Sequence, residues 1–559
     1  MKMNGSQIVI EALIEQGVDT IFGYPGGAIL NIYDELYKNS SRIRHILTAH
    51  EQGASHAADG YARSTGKTGV VFATSGPGAT NLVTGIATAY MDSIPLVAIT
   101  CNVGTSLLGK DSFQEVDIAG ITMPITKHNF IVRDVNRLAD IIREAFRIAN
   151  TGRPGPVLID IPKDITAAEA EFVPLSESEK NAVRTDPKAR AIDDADIQAA
   201  ATLINNAVRP VIYCGGGVAI SGAEKELLEL AEKANIPVCV SLMGKTAFPS
   251  AHELCTGMVG MHGTKASNTA VSKSDLLIAI GARFSDRVIS NAKTFAVNSK
   301  VLQIDIDPAE INKNIQTYAS IVGDVKAVLK KLNPLVNARE KSEWNDRVSE
   351  WKRSVPPMYT ALEDLHPKAI CEYVHSKIDG NEIVTTEVGQ HQMWIAQFYP
   401  FSAPRSFLTS GGLGTMGYGT GAAIGAQIGN PAKRVVHFAG DGSFRMNCNE
   451  LATISHYELP IIIIVLNNGV LGMVRQWQNL FYEKRFSQTT LDFAPDFVKL
   501  AEAYGISGIR VSKIEDFKSA FDKALASGKP ALIDCAIPKD EMVFPMVPGG
   551  KSIDNLIME

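Results

Sequence analysis

The chain has 559 residues, of which 45% are hydrophobic and 20% charged, an ordinary composition for globular protein with a large core. At about 150 residues per domain, this length predicts about three or four domains. The net charge of −6 argues against nucleic acid as the main partner, and seven cysteines without CxxC spacing indicate reduced thiols, a cytoplasmic location and no zinc site.

The N-terminus and the apolar runs predict no targeting segment and no membrane span. An amphipathic helix pattern that includes Ile8 and Leu13 follows Met1 closely, with no signal or transit sequence before it. The longest apolar run, from Leu459 to Leu466, is far too short to cross a bilayer. We therefore expect a protein without a membrane anchor.

Short apolar runs rich in branched residues alternate with helical patterns along the chain. They are bounded by Gly, Pro or Asp, which is typical of parallel sheets covered by helices on both faces. In chain order the runs are GVVFATSG, PLVAIT, PVLIDIP, PVIYCGGG, DLLIAIGA, VLQIDID, RVVHFAG and PIIIIVLNN. The pattern predicts an α/β fold built from doubly wound parallel-sheet domains.

Two polar stretches interrupt this alternation, and we interpret them as linkers at 166–190 and 337–367. The middle of the second stretch is compatible with a helix. The linkers divide the chain into three α/β domains of similar size. The predicted limits are 1–165 for the first domain, 191–336 for the central domain, 368–545 for the third domain and 546–559 for a C-terminal tail.

The first and third domains share an internal pattern. In each, a strand is followed by a glycine turn, a helix with an early Asn, and a proline that opens the next strand. The interval is 19 residues from Gly76 to Pro95 and 20 residues from Gly440 to Pro460. The similar spacing predicts a duplicated fold, and a ligand held between the two related domains follows as a hypothesis.

Asp441 and Asn468 follow two apolar strands of the third domain. Ligands of parallel sheets bind beyond the carboxyl ends of the strands, so we expect both side chains at one site. Their oxygens suit Mg²⁺ or Ca²⁺ rather than zinc, and a helix that begins near Ser443 suits a phosphate group. The stretch predicts a magnesium–diphosphate site, with a loop aspartate and a helix cap as the alternative.

The Gly-Asp-Gly at Gly440–Gly442, with paired asparagines at the end of the next strand, resembles the thiamine diphosphate binding motif. That resemblance implies Mg²⁺ bound by Asp441, the Asn468 side chain and the Val470 carbonyl. It also requires a carboxylic acid from the other domain type beside the pyrimidine ring of the cofactor. Glu51, after the strand RHILTA, is the candidate; in isolation it is typical of a solvated residue in the first turn of a helix.

A longer series of motifs resembles the catalytic large subunit of biosynthetic acetohydroxyacid synthase, also called acetolactate synthase. The resemblance runs from about residue 4 to about residue 545. It rests on FGYPGGAIL, HEQGASHAADGYAR, TSGPGATN, FQEVDI, GRPGPVLIDIPKD, GMHG, GARFSDRV, GGLGTMGYG and GMVRQWQNLFYEKRFS. It implies decarboxylation of pyruvate and condensation of the two-carbon unit with pyruvate or 2-ketobutyrate, the first common step of branched-chain amino acid (isoleucine and valine) biosynthesis.

The same resemblance implies thiamine diphosphate, Mg²⁺ and a structural FAD as cofactors. The implied catalytic residues are Glu51 and Gln114. Thiamine diphosphate contacts are implied for Tyr24, Pro77, Asn81, Gln390, His391, Gly414, Met416, Gly442 and Ser443. FAD contacts are implied for Gly215, Gly216, Gly260, Met261, His262, Gly281, Arg283, Arg287, Asp305 and Asp324. Substrate contacts are implied for Ala28, Phe113, Arg287, Met473, Val474 and Trp477.

Several of these residues have plainer interpretations. Met416 and Trp477 are also compatible with core packing, and Arg287 with a structural ion pair. No GxGxxG follows the first strand of the central domain, and Ser285 stands where many members of the family have an Asp. These departures concern the flavin site.

Three other functions stay open on the sequence alone: a catabolic, flavin-free acetolactate synthase, a pyruvate oxidase, and a nucleotide-binding regulatory module without enzyme activity. The resemblance implies a homodimer or tetramer. Because no regulatory domain is appended, feedback control would require a separate regulatory small subunit. Neither nucleic acid nor a membrane is expected as a partner.

Overall fold

The computed structural model describes residues 1–176, 179, 191–354, 365–378, 380–493 and 495–558. Parts of both predicted linkers, at 177–178, 180–190 and 355–364, lie outside the described residues. Three six-stranded parallel sheets form the body of the molecule, one in each predicted domain. The predicted class of three doubly wound α/β domains is therefore confirmed.

The first domain consists of a parallel sheet with helices on both faces. Its strands are β1 (Lys2–Asn4), β2 (Thr20–Gly23), β3 (Arg44–Leu47), β4 (Gly69–Ala73), β5 (Leu96–Asn102), β6 (His128–Ile131), β7 (Pro156–Pro162) and β8 (Glu169–Glu171). Its helices are α1 (Gly5–Glu15), α2 (Leu30–Lys38), α3 (Glu51–Thr65), α4 (Pro77–Asn81), α5 (Val83–Asp92), α6 (Ile118–Thr122), α7 (Leu138–Asn150) and α8 (Lys163–Ala167). The sheet order is β3–β2–β4–β5–β7–β6, and β1 pairs with β8 in an antiparallel ribbon that the sequence did not predict.

The central domain contains a second parallel sheet. Its strands are β9 (Pro210–Cys214), β10 (Val238–Val240), β11 (Cys255–Met258), β12 (Leu276–Ile280), β13 (Lys300–Asp305) and β14 (Ala319–Val322). Its helices are α9 (Asp194–Asn206), α10 (Gly216–Ser221), α11 (Glu224–Ala234), α12 (Lys265–Lys273), α13 (Asp286–Ile289), α14 (Val325–Leu332) and α15 (Glu343–Arg353). The order β11–β10–β9–β12–β13–β14 is the 3-2-1-4-5-6 order of dinucleotide-binding folds.

The third domain contains the last parallel sheet. Its strands are β15 (Glu382–Thr386), β16 (Phe407–Leu408), β17 (Arg434–Gly440), β18 (Ile462–Asn467), β19 (Ser507–Val511) and β20 (Ala531–Ala536). Its helices are α16 (Pro367–Ile378), α17 (Gln390–Phe398), α18 (Gly419–Gly429), α19 (Asp441–Phe444), α20 (Leu451–His456), α21 (Gly472–Phe481), α22 (Phe497–Ala503) and α23 (Ile514–Ser527). Short 3₁₀ helices lie at Thr105–Leu107, Met123–Ile125, Val135–Arg137, Leu242–Gly244, Pro308–Glu310, Asn333–Leu335 and Cys448–Glu450.

The third sheet has the order β16–β15–β17–β18–β20–β19. When the strands of each six-stranded sheet are numbered from its own first strand, the first and third sheets have the same order, 2-1-3-4-6-5. This identity confirms the duplicated fold that the glycine-to-proline spacing predicted. In both domains the crevice at the carboxyl ends lies between the first and third strands, where the chain leaves in opposite directions.

The helix after β17 differs from the expectation. The sequence predicted one helix beginning near Ser443, but α19 already begins at Asp441, ends at Phe444, and is followed by a 3₁₀ helix and α20. The chain leaves the helical path at Asn447, whose side chain donates a hydrogen bond to the carbonyl of Gly417 (3.1 Å). A four-residue helix has a small dipole. The binding of a phosphate group at α19 would therefore depend on hydrogen bonds from individual N–H groups.

Helix α3 of the first domain packs directly on α18 of the third domain. Gly60 faces the carbonyl of Ala422, and Gly425 faces the carbonyl of Ala57, so closely that neither glycine has room for a Cβ atom. The missing side chains let the two helix backbones approach each other. The two duplicated domains therefore meet within one chain at the helix that begins with Glu51.

Parts of the predicted linkers and the tail pack on the central domain. In the second linker, α15 buries Trp344, whose Nε1 donates to the carbonyl of Pro210 (3.1 Å). The tail returns beside the loop that contains Met261, whose carbonyl accepts a hydrogen bond from the N–H of Val547 (2.7 Å). Within the described ranges, we find no helix with the length and apolar character that a membrane crossing demands.

Candidate active site

The two residues of the predicted metal site lie together at the carboxyl edge of the third sheet. Asp441 follows β17 and Asn468 follows β18, and these strands pair in parallel with Gly440 opposite Leu466. The backbone N–H of Asn468 favours the ionised form of the Asp441 carboxyl group and so lowers its pKa. The Oδ1 atom of Asn468 accepts from the N–H of Val470 (3.3 Å), which closes the turn after β18.

Asp441 is buried, with an exposed fraction of 2%. Its Oδ2 atom has no hydrogen-bond partner among the described residues. Burial raises the pKa of Asp441 to about 6, although N–H groups of Gly442 and Asn468 favour the carboxylate. A buried carboxylate oxygen without a partner is costly unless a cation binds it. The oxygen donors therefore fit Mg²⁺, which fills its remaining positions with water and phosphate.

The predicted diphosphate residues lie at the crevice between β15 and β17. Gln390 and His391 begin α17, directly after β15, while Gly442 and Ser443 belong to α19 after β17. Gly440 leaves room for the imidazole of His391, because a Cβ atom there would lie 2.7 Å from Nδ1. The Nε2 atom of His391 is buried and has no hydrogen-bond partner in the described part of the chain, and burial lowers the pKa of this ring to about 4.

Gln390 connects this crevice to the metal loop. Its Oε1 atom accepts a hydrogen bond from Nδ2 of Asn468 (3.2 Å), and its Nε2 atom donates to Oε1 of Gln476 (3.0 Å). Gly472 lies so close to the Gln390 side chain that a Cβ atom would collide with it. The structure therefore brings together the predicted metal and diphosphate residues of the third domain.

Met416 lies half-buried in a glycine-rich turn beside the same crevice. The turn requires glycine at two positions, because φ is +71° at Gly414 and +86° at Gly417. Oγ1 of Thr415 lies 2.8 Å from Oγ1 of Thr88, which ties the turn to the first domain. The geometry therefore explains the glycines of this motif independently of any ligand.

Glu51 is the first residue of α3, as the sequence predicted for a residue in a helix's first turn. It is not solvated, because its exposed fraction is only 9%. Its Oε2 atom accepts a hydrogen bond from Nδ2 of Asn81 at the end of α4 (2.9 Å), and Pro77 opens that helix. Two of the predicted pyrimidine-side residues therefore lie on the helix next to the Glu51 carboxylate.

The sequence did not predict a role for Glu450, which fixes the start of α3. Its buried carboxylate accepts hydrogen bonds from the N–H groups of Ala49 (3.2 Å) and His50 (3.0 Å). These groups immediately precede Glu51. Glu450 belongs to the third domain, so sequence spacing gave no signal for this contact.

Gln114 lies next to the glycine turn that follows β4. A Cβ atom on Gly76 would lie 2.9 Å from the carbonyl of Gln114, and Gln114 itself has φ of +60°, a strained value for a residue other than glycine. The neighbouring Phe113 is 88% exposed. Of the other residues predicted on this side, Tyr24 is exposed and Ala28 donates its N–H to Oγ1 of Thr74 (3.3 Å).

Helix α21 lines a cavity of about 680 Å³. The lining residues are Met473, Val474, Trp477, Gln478, Tyr482, Arg485 and Ser487. Trp477 packs beside Phe481, with ring centroids 5.3 Å apart, and against the apolar cluster that contains Met261. Three of the predicted substrate residues thus share one cavity, whose lining does not include Ala28, Phe113 or Arg287.

Four of the ten predicted FAD residues lie at the crevice of the central sheet between β9 and β12. Gly215 follows β9 and Gly281 follows β12, and a Cβ atom on Gly215 would collide with the Gly281 carbonyl. Gly216 begins α10 beside them. Arg283 accepts a hydrogen bond at its carbonyl from the hydroxyl of Tyr213 (3.1 Å). The glycines at this crevice leave space for a dinucleotide to approach the backbone, although the sequence has no GxGxxG motif.

The GMHG loop lies against the segment that follows β12. Gly260 has φ of +110°, and the N–H of Met261 donates to the carbonyl of Arg287 (2.8 Å). The Arg287 side chain is 67% exposed and lies 3.8 Å from Asp286, so its ion pair is a surface contact. His262 is buried, and its Nδ1 atom lies 3.2 Å from the carbonyl of Pro545.

The two predicted acidic residues of this site differ in position. Asp305 ends β13, next to β12, and burial raises its pKa to about 6. Asp324 follows β14 at the edge of the sheet, and its side chain caps α14 by accepting from the N–H of Ala327 (2.9 Å). Asp324 therefore already has a structural role away from the crevice.

Family models match all three domains. The model described as the N-terminal TPP binding domain of thiamine pyrophosphate enzymes matches residues 3–121. The model for their central domain matches residues 197–332, and the model for their C-terminal TPP binding domain matches residues 387–535. All three models describe thiamine pyrophosphate enzymes, and the two duplicated outer domains are the ones described as TPP binding domains.

Curated relatives match the chain over nearly its full length. A probable acetolactate synthase large subunit of Methanocaldococcus jannaschii is 49% identical, over 99% of this chain and 95% of its own length. An acetolactate synthase large subunit of Corynebacterium glutamicum is 48% identical, over 99% of this chain and 90% of its own length. An acetolactate synthase of Arthrospira platensis is 46% identical, over 100% and 98%.

Proposed function

This chain belongs to the family of thiamine diphosphate-dependent acetolactate synthase large subunits, and we propose that it makes 2-acetolactate from two molecules of pyruvate, or 2-aceto-2-hydroxybutyrate from pyruvate and 2-ketobutyrate. The observation that carries this proposal is the near-full-length identity to named acetolactate synthases. The buried Glu51 and the unpartnered oxygen of Asp441 support it, because both are costly without a ligand. The test is the identification of both products from the purified protein.

We propose specific roles for the third-domain residues. Asp441, the Asn468 side chain and the Val470 carbonyl bind Mg²⁺. The ring of His391 and the N–H groups of Gly442 and Ser443 face the diphosphate, while Gln390 holds the metal loop next to it. Met416 supports the cofactor from the neighbouring turn, together with Gly414. These assignments are supported by the common crevice at β15 and β17.

The first-domain residues surround the pyrimidine ring in this proposal. Thiamine diphosphate, when bound, supplies the electron sink that the decarboxylation of a 2-keto acid requires. Glu51 holds a proton at its carboxyl group and shares it with a ring nitrogen. Asn81 orients that carboxyl group, and Tyr24 and Pro77 contact the ring. Gln114 lies near the reacting carbon, since its segment is held against Gly76.

We propose that the central domain binds FAD at the crevice between β9 and β12. The reaction has no net oxidation or reduction, so the flavin is structural. The glycine cradle supports a dinucleotide, and the Asp324 cap makes Asp305 the stronger candidate for a polar contact. The test is to extract the flavin and to add pyruvate to the protein under nitrogen. Flavin that is present and is not bleached by pyruvate would agree with a structural role. Bleaching that is coupled to an electron acceptor would indicate a pyruvate oxidase, and a protein without flavin would indicate the catabolic acetolactate synthase.

We further propose a homodimer in which Glu51 of each copy completes the site at Asp441 of its partner. Large apolar side chains near the proposed cofactor residues are exposed in the single chain, and such a surface is typical of a protein interface. The exposed residues are Tyr24, Phe113, Leu413, Met446, Val474 and Tyr482. A second copy buries this surface and brings its own first domain, with Glu51, to the Asp441 site.

We also propose a regulatory partner and a cellular location for this chain. The relatives are named large subunits, which supports a separate regulatory small subunit for this chain. The cysteine pattern supports a cytoplasmic location. We propose domain limits at 1–165, 191–336 and 368–545. The segment up to Glu171 is attached to the first domain through the pairing of β8 with β1, and α15 is attached to the central domain through Trp344.

Trp477→Leu is expected to lower the preference for 2-ketobutyrate as the second substrate. The two acids differ by one methylene, and the indole forms a wall of the α21 cavity. We expect the product ratio in a competition assay to fall at least about fivefold, because one methylene in an apolar pocket supplies about 1–3 kcal/mol of discrimination. Decarboxylation should remain close to wild type.

Trp351→Leu is the matched control, since Trp351 packs on Trp344 in the central domain away from the cavity. Its product ratio should equal that of the wild type. If Trp477→Leu also leaves the ratio unchanged, Trp477 is a packing residue and not a specificity wall.

A further inference from the structure

Glu387 is a buried carboxylate directly after β15, and it has no role in the proposed binding of thiamine diphosphate or Mg²⁺. Its exposed fraction is 0%. We propose that Glu387 is a positioning residue: its carboxylate holds the Met416 turn and the Ser443 hydroxyl in a fixed relation. This proposal rests on the proposed function, because Met416 and Ser443 are assigned to thiamine diphosphate there.

One oxygen of Glu387 joins two segments that are distant in the sequence. Its Oε2 atom accepts hydrogen bonds from the backbone N–H of Gly417 (2.6 Å) and from the hydroxyl of Ser443 (2.9 Å). The N–H of Gly417 also lies 3.4 Å from the Ser443 oxygen. Gly417, directly after Met416, and Ser443, directly after the Gly440–Gly442 motif, therefore share a single acceptor atom.

The other oxygen anchors the start of α18. The Oε1 atom accepts from the N–H of Thr420 (3.1 Å) and lies 3.6 Å from Nε2 of His437 on β17. Helix α18 also packs on α3, the helix that begins with Glu51. Glu387 thus contacts the Met416 turn, the start of α18 and Ser443 of α19 at the same time.

The surroundings of Glu387 keep its carboxyl group ionised. Burial alone would raise its pKa, but the His437 ring and the Ser443 hydroxyl outweigh burial and hold the pKa below its ordinary value. An ionised acceptor forms stronger hydrogen bonds than a neutral one. A glutamine in its place loses the charge and turns an N–H₂ group towards donors that need an acceptor.

The Met416 turn needs such an anchor. Two of its residues, Gly414 and Gly417, have positive φ, so its backbone has many alternative conformations in the absence of restraint. Thr415 is held by Thr88 on one side, and Gly417 is held by Glu387 on the other. Met416 lies between these two attachments, and loss of the second would let its side chain move relative to Ser443.

Glu382 offers a matched control on the same strand. It is also a buried carboxylate, but it lies at the first residue of β15, at the opposite edge of the sheet. It accepts from the hydroxyl of Tyr399 (2.6 Å) and lies 3.2 Å from Nδ1 of His375. Glu382→Gln therefore removes a buried charge from β15 without touching the Met416 turn.

The test compares Glu387→Gln with Glu382→Gln in the full chain by two measurements. In cofactor-free protein, amide hydrogen exchange of the segment 411–420 should become at least about tenfold faster in Glu387→Gln, since two of its amides lose an ionised acceptor. In the loaded enzyme, kcat should fall at least about tenfold with KM for pyruvate nearly unchanged. Glu382→Gln should show neither effect.

Unchanged exchange of 411–420, or an equal effect in both variants, would overturn the proposal. Faster exchange with an unchanged kcat would also overturn it, because the anchor would then have no bearing on the site. If Glu387→Gln does not fold, Glu387→Asp is used in its place. Aspartate keeps the charge but is one methylene too short to reach Gly417 and Ser443, so faster exchange of 411–420 and a lower kcat are again expected. The exchange measurement uses no substrate, so its result stands even if the proposed reaction fails.

Discussion

Glu51→Gln is expected to lose acetolactate formation by at least about a hundredfold, the range for removal of a positioned proton-transfer group. The glutamine side chain has the same shape and can still accept from Asn81, as the Glu51 carboxylate does at 2.9 Å. It cannot hold the acidic proton that the pyrimidine nitrogen requires. Cofactor binding should persist, because the metal and diphosphate groups belong to the third domain.

The measurement is the initial rate of acetolactate formation together with calorimetric titration of thiamine diphosphate. Glu11→Gln serves as the control, since Glu11 lies on α1 and pairs with the exposed Arg42, where loss of an ion pair costs little. A Glu51→Gln enzyme within about threefold of wild type would remove Glu51 from its catalytic role.

Mixed dimers of Glu51→Gln and Asp441→Ala chains are expected to regain activity that neither parent has. In the proposed dimer, one site of each mixed pair combines the intact Glu51 of one chain with the intact Asp441 of the other. The second site carries both changes. After subunit exchange of equal amounts, half of the dimers are mixed, so about a quarter of the wild-type specific activity should return.

The parent variants fail for different reasons, which makes the restored activity informative. Asp441→Ala removes the buried, unpartnered carboxylate oxygen and with it the metal. Glu51→Gln keeps the metal but lacks the acid. Mass spectrometry of differently tagged chains verifies the exchange. If proven mixed dimers stay inactive, both groups of each site come from one chain and the proposed assembly is wrong.

The sequence predicted the sheets well because their strands are buried on both faces. Strand β18, which is rich in isoleucine, lies between β17 and β20. All of its residues except the last, Asn467, are buried. Such continuous apolar runs separate clearly from helical patterns. The spacing from Gly76 to Pro95 and from Gly440 to Pro460 likewise predicted a duplication, and the two sheets share one strand order.

The site was predictable where its residues follow strand ends. Asp441 and Asn468 could be placed together because β17 and β18 end at the same edge of one sheet. For Asp441 and Asn468, both the oxygen-bearing side chain and the position at a strand end predicted a metal site. The same rule applies to Glu387, which follows β15, but no motif drew attention to it.

Contacts between distant segments were not predictable. Glu450 of the third domain accepts hydrogen bonds from the N–H groups of Ala49 and His50 in the first domain. The sequence around neither segment predicts this contact. The early end of α19 depends on the hydrogen bond from Asn447 to Gly417, also a tertiary contact. Such contacts override local propensity, and only the folded chain reveals them.

The most direct test of the whole account is acetolactate formation from pyruvate by the purified protein, with thiamine diphosphate, Mg²⁺ and FAD added or withheld. After the protein is stripped with a chelator, we expect no product until thiamine diphosphate and Mg²⁺ are both restored, and we expect no external electron acceptor to be needed. Acetolactate formed at the full rate in the stripped protein, or pyruvate consumed only with an electron acceptor, would contradict the account.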